Sequence, residues 1–167
     1  GVTIPAFRRI ERSIDELRRT RWTEGSVVVD SDGEPVVIDR IAEGEMVTVY
    51  PQGSVGSVDS QAVLIREPLD RFTDEARLLG PIVAGVVVHS KLCTHMACSL
   101  GLYQQSSGTL LCPCHQAAFD VLDRGQPVAG PARRPLPRLP IRLTDDGFLV
   151  ATGDFPDAVG TGFWYRP

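Results

Sequence analysis

All four cysteines of this 167-residue chain, and two of its three histidines, fall between Cys93 and His115. They form two blocks, Cys93-Thr94-His95-Met96-Ala97-Cys98 and Cys112-Pro113-Cys114-His115. Each block sets a Cys close to a His, so two similar loops could clasp a metal centre from opposite sides. Sixteen residues separate His95 from Cys112, enough for a hairpin that brings the loops together. Three chemistries compete. Two thiolates and two imidazoles close a tetrahedral zinc shell, but two cysteines are then left over and Cys-x-His departs from the usual zinc spacing. A pair of disulfides in an exported domain leaves both histidines idle. A two-iron, two-sulfide centre takes thiolates on one iron and imidazoles on the other, and this reading accounts for all six residues.

The elements that would position these loops are short. Residues 10–21 place Ile10, Ile14 and Leu17 at helical spacing, which predicts an amphipathic helix. After Gly25 the pattern changes to β-rich runs: Val27–Val29, Val36–Ile38, Met46–Tyr50, Ala62–Ile65, Ile82–Val88, Thr109–Leu111 and Phe148–Ala151. Asp32-Gly33, Pro51-Gln52-Gly53 and Asp146-Gly147 punctuate them as turns. Asp145-Asp146-Gly147 reads as a hairpin turn rather than a calcium loop. Pro135, Pro137 and Pro140 keep the segment Arg134–Pro140 out of a central strand, so it should run extended along an edge. The pattern predicts an all-β, antiparallel sandwich-like base over 23–88 and 120–167, an inserted cluster-binding lobe over 89–119, and a basic arm or short helix over 1–22.

Composition narrows the partners. Hydrophobic residues make up 43% of the chain, enough to bury a core. The formal net charge of −4 argues against nucleic acid. Arg8, Arg9, Arg12, Arg18, Arg19 and Arg21 face only Glu11, Asp15 and Glu16 in the first 22 residues, an arm suited to anionic headgroups or simply to water. The longest apolar run, Ile82 to Val88, falls far short of the roughly 20 residues that cross a bilayer. The chain starts at Gly1, so any membrane attachment is expected from a segment not in this chain. Trp22 and Trp164 could anchor the body to a membrane or pack in its core, and His89 reads as a surface or packing residue.

The two boxes resemble those of Rieske iron–sulfur proteins from cytochrome bc complexes. Similarity extends over Ser90 to Ile141 and into the tail, Gly153-Asp154-Phe155 through Phe163-Trp164, and looks most like the actinobacterial form. The resemblance implies a Rieske fold and a 2Fe–2S cluster held by Cys93, His95, Cys112 and His115. It also implies a disulfide between Cys98 and Cys114, a pair that Rieske ferredoxins and oxygenases lack. Gly130-Pro131-Ala132 resembles the family's proline loop, with Pro131 shielding the cluster, and Met96 stands where Leu is usual, covering it near the quinol pocket.

By that resemblance the function is one-electron transfer from a quinol to a c-type cytochrome haem, with a cytochrome b subunit as partner and His95 or His115 taking the quinol proton. Replacing two thiolates by neutral imidazoles raises the potential over an all-Cys cluster. The disulfide implies an oxidising compartment, hence the outer, positive side of the bacterial membrane. High-potential relatives carry Ser and Tyr where this chain has Ala117 and Phe119, neither of which can donate a hydrogen bond. That places the potential low and favours menaquinol. The small Rieske subunit of an arsenite oxidase and a soluble Rieske carrier are the alternatives.

Overall fold

The computed structural model describes residues 19–161. The helix expected over 10–21 therefore lies almost wholly outside the described residues, as does Trp164. Within them the chain is built of antiparallel β-sheets. The first sheet runs β1 (Val28–Val29), β2 (Met46–Pro51), β3 (Ala62–Arg66) and β4 (Val86–Ser90), in that order. The second runs β5 (Leu102–Gln104), β6 (Thr109–Leu111), β7 (Ala118–Asp120) and β8 (Gln126–Ala129). A two-stranded ribbon, β9 (Ile141–Leu143) and β10 (Leu149–Ala151), joins the edge of the first sheet through a bridge between Val27 and Val150.

The first sheet is the middle layer, which explains its sequence. Along β3, Val63 and Ile65 pack with Cys93, Leu110, Cys112 and Phe119, on the side of the second sheet. Ala62 and Leu64 alternate to the other face and pack with Trp22, Leu139, Ile141 and Leu149. A strand covered on both faces needs no polar alternation, hence the continuous apolar runs Ala62–Ile65 in β3 and Val86–Val88 in β4. Trp22 is a core residue here, and its indole N–H donates to the Ser60 carbonyl at 2.7 Å.

Two predicted strands are corrected. Val36–Ile38 is not a strand: Pro35 bridges Val29, and Ile38–Arg40 turns into one 3-10 turn that buries Ile38. Ile82–Val88 divides at Ala84-Gly85, both at positive φ (50° and 80°), and β4 begins only at Val86. Gly85 is required there, because a side chain would strike the Glu67 carbonyl. The Asp145-Asp146-Gly147 turn connects β9 to β10, with Gly147 N–H donating to Thr144 O at 2.9 Å.

The proline-rich segment lies extended along β4, as its composition requires. Ser90 N–H donates to Pro137 O and Leu139 N–H to Val88 O, at 2.9 and 2.8 Å. Its Arg138 guanidinium, buried, donates to the carbonyls of Ala76, Gly80 and Pro81 and so closes the C-terminal end of α1 (Asp74–Leu79). At the other end of α1, the Thr73 hydroxyl caps Ala76 N–H, and Asp74 and Glu75 suit the positive end of the helix.

His89 is buried on β4, its Nδ1 3.2 Å from Leu136 O and its Nε2 without a partner. Burial, with a smaller push from Arg138, holds its pKa down to about 4 against the Leu136 and Pro137 carbonyls, which favour the proton. An unfolded chain takes that proton near pH 6.5, so His89 contributes full stability above 6.5 and loses it as pH falls toward 4. At about 1.4 kcal/mol per unit the loss approaches about 3 kcal/mol. Urea unfolding of the native protein and of His89→Gln should show a stability gap at pH 7 that closes toward pH 4.5. A gap independent of pH would rule His89 out as the responsible group.

Candidate metal centre

The two ligand blocks fold as the same turn made twice. In the first, Ala97 N–H donates to Cys93 O and Cys93 N–H to Cys98 O, both at 2.8 Å. In the second, Gln116 N–H donates to Cys112 O at 3.0 Å and Cys112 N–H to Ala117 O at 2.8 Å. Each turn needs its fifth residue in the left-handed region, and Ala97 and Gln116 both have φ of 59°. For a residue with a Cβ this costs on the order of 1 kcal/mol, so tertiary contacts hold it. The turns sit together at the open end of the β5–β6 hairpin, one before Leu102 and one after its partner Leu111.

The turns meet. Cys98 and Cys114 are joined in a disulfide, with Cα atoms 6.4 Å apart. Cys93 and Cys112 remain free and buried. The His95 and His115 rings stand edge to face, centroids 4.8 Å apart, with His115 exposed and His95 half-buried. Although the Sγ atoms of Cys98, Cys112 and Cys114 lie within 4.8 Å of one another, the disulfide takes two of them out of ligation. Two thiols and two imidazoles are left to face each other.

This donor set fits the two-iron cluster. The His95 Nδ1 is buried with no hydrogen-bond partner, a costly state for a nitrogen unless it ligates. Burial pushes the Cys93 thiol up, the N–H groups of His95 and Met96 pull it back, and the adjacent Cys112 thiol pushes it up again. To ionise side by side in this apolar setting, the two thiols would need a cation between them.

The proline loop touches both turns. A Cβ on Gly130 (φ 79°) would collide with Ala117 Cα and Gln116 O, so glycine lets this loop lie against the second turn. The Thr94 hydroxyl, between two candidate ligands, donates to Arg134 O at 2.7 Å and ties the loop to the first turn. Pro131 is exposed beside Gly130, and Met96 stands 57% exposed at the tip of the first turn. Ala117 and Phe119 are wholly buried in the core that holds Cys93 and Cys112. Sequence reasoning missed the Thr94–Arg134 contact and the two left-handed residues. No glycine or asparagine marks Ala97 or Gln116, though the repeat of Cys at the first position of each turn was a signal.

Two matched turns at the end of a small sheet, presenting two thiols and two imidazoles, define an iron–sulfur electron-transfer domain. The Rieske [2Fe-2S] domain matches residues 15–140, and the chain belongs to that family, whose domain binds a 2Fe–2S cluster. The cytochrome bc1 complex Rieske iron-sulfur subunit of Streptomyces lividans is 36% identical over 160 residues, covering 90% of this chain and 94% of that protein. Its counterpart in Corynebacterium glutamicum is 49% identical over 127 residues, 75% of this chain but 30% of that protein. A Haloferax mediterranei protein, provisionally named a respiratory nitrate reductase Rieske subunit, is 38% identical over 141 residues, 84% of this chain and 63% of that one. The chain thus spans less than two thirds of the length of two of these three relatives. The soluble domain of Rieske protein II (soxF) from Sulfolobus acidocaldarius shares the fold, with a TM-score of 0.53, 17% identity and 89% of each chain covered.

Proposed function

We propose that this chain carries single electrons from a quinol, menaquinol by the argument from Ala117 and Phe119, to a c-type cytochrome haem. It would do so as the Rieske subunit of a quinol–cytochrome c reductase, beside a cytochrome b subunit. The observation that supports this most is a pair of imidazoles brought together at the surface, His115 exposed, over two buried thiols. Cys93 and Cys112 would hold one iron, His95 and His115 the other. When bound, the cluster supplies a one-electron couple whose potential two neutral imidazoles raise. With Nδ1 of His95 turned inward, Nε2 is the nitrogen left to meet a quinol hydroxyl and take its proton. Met96 offers that quinol an apolar approach, and Pro131 and the proline loop keep water from the opposite side. The disulfide limits how far the two turns spread.

We read the cluster lobe as about 89–119, set on a base of 23–88 and 120–167, with β7 and β8 carrying the lobe's sheet on to Ala129. Among the described residues no helix is long and apolar enough to cross a membrane. Attachment would come through a segment outside this chain, with this domain on the outer, positive side. The Haloferax mediterranei relative favours a second reading, in which the same ligand set serves a nitrate reductase complex.

Purified protein should hold two irons and two acid-labile sulfides per chain, with one zinc and no sulfide as the result that ends this reading. Redox-monitored electron paramagnetic resonance should then give a potential below the roughly +300 mV upper end of the Rieske range. Anaerobic mixing of the reduced protein with a c-type cytochrome should reduce its haem. No transfer to the haem would favour the other complex.

A further inference from the structure

The segment Phe155–Gly160 follows the last strand, and no sequence motif gave it a role. Phe155 packs against the core around Trp22 and Leu139, and farther on the segment is held by an arginine. Arg134, half-buried at the end of the proline loop, donates from Nη1 and Nη2 to Ala158 O at 3.2 and 3.3 Å, and from Nη2 to Gly160 O at 2.7 Å. Gly160 is buried and left-handed (φ 64°), and it rests on the first ligand turn. A Cβ placed on it would stand 3.2 Å from the Ala97 Cβ and 3.9 Å from Leu92 Cδ1. The backbone carbonyl of the same Arg134 receives the Thr94 hydroxyl from within that turn. One residue therefore holds the turn twice, directly by its carbonyl at Thr94 and through the fastened segment at Ala97.

We propose that Arg134 is a positioning residue for the cluster, clamping Phe155–Gly160 over the turn that carries Cys93 and His95; this rests on the cluster reading above. The chemistry explains why arginine is needed. Two separate carbonyls accept from one planar fork, which a lysine ammonium cannot span with the same rigidity. The clamp also accounts for Ala97, the residue held in a left-handed conformation that alanine alone would not choose. The second ligand turn has its own support in Gly130, which lies against Ala117 and Gln116.

The test uses the cluster-loaded protein and three variants, Arg134→Met, Arg134→Lys and Gly160→Ala. Hydrogen exchange read by mass spectrometry should be at least tenfold faster over residues 92–98 in Arg134→Met. Exchange over 111–117 should be unchanged. Arg134→Lys should fall between wild type and Arg134→Met. Gly160→Ala, which keeps the arginine, should loosen the same turn and covers the case in which Arg134→Met does not fold. The cluster's resonance lines should broaden in Arg134→Met, because His95 then samples several orientations. Faster exchange confined to 155–161, with residues 92–98 and the resonance unchanged, would overturn the clamp. Iron and sulfide analysis of the wild type reports on the cluster reading separately. A metal-free wild type would sink that reading, while the exchange comparison still decides whether Arg134 holds the turn.

Discussion

Phe119→Tyr and Ala117→Ser should each raise the cluster's midpoint potential by tens of millivolts, and together by more than either alone. Both residues are wholly buried in the core that includes Cys93 and Cys112, and neither side chain can donate a hydrogen bond. The family resemblance places hydroxyl donors at these two positions in high-potential relatives. Reduction adds negative charge to the cluster, so a donor stabilises the reduced form more than the oxidised one. A hydrogen bond to a charged group is worth roughly 1.5–3 kcal/mol. One electron converts 1.4 kcal/mol into about 59 mV, so even a third of that gain is measurable. The tyrosine keeps the shape of the phenylalanine ring and asks for room only at its tip. The serine adds one oxygen at a site pressed by Gly130, where overpacking costs on the order of 1 kcal/mol. Tyrosine should therefore give the cleaner shift. Redox titration of the four forms measures it, and two unmoved potentials with intact clusters would remove the main support for menaquinol.

How much of this was legible follows from how local each feature is. The four candidate ligands lie within Cys93–His115, a span short enough for their residue types to stand out in the sequence. The β-class was legible from runs such as Ala62–Ile65, because a strand covered on both faces leaves a continuous apolar signature. The short strands Leu102–Gln104 and Gln126–Ala129 gave no such signal. Leu102 and Val128 are exposed, Pro127 interrupts β8, and these strands exist because partners pair with them. The helix Asp74–Leu79 is six residues long, too short to form without tertiary support, and its closure depends on Arg138, far along the chain. Val36–Ile38 failed for the opposite reason: three β-branched residues in a row look like a strand in sequence, yet Val37 is exposed and Ile38 enters the core from a 3-10 turn. The contact of Thr94 with Arg134 spans 40 positions, and nothing in either residue announces it.

Replacing Cys98 and Cys114 together by alanine should leave a protein that still assembles its cluster and loses it about a hundredfold faster. The two ligand turns are each closed internally, by Ala97 on Cys93 and by Gln116 on Cys112, so each keeps its shape without the bridge. Their mutual position is another matter. Pro113, Cys114, His115 and Gln116 are all exposed, as are Met96 and Ala97, and little apolar burial holds the tips together. What remains is the β5–β6 hairpin beneath them and the proline loop, touching one turn at Gly130 and the other at Thr94. The bridge closes a separation of 16 residues, which the chain-entropy account values at about 3 kcal/mol. That energy resists the spreading that would expose Cys93 and Cys112, and about 3 kcal/mol is roughly a hundredfold in an opening equilibrium. Loss of cluster absorbance in the presence of an iron chelator gives the rate. Wild type treated with a thiol reductant should approach the variant, since reduction opens the same link. Equal lifetimes for variant and wild type would show that the hairpin and the proline loop hold the two turns together without the bridge, and the inference of an oxidising compartment would lose its functional reason.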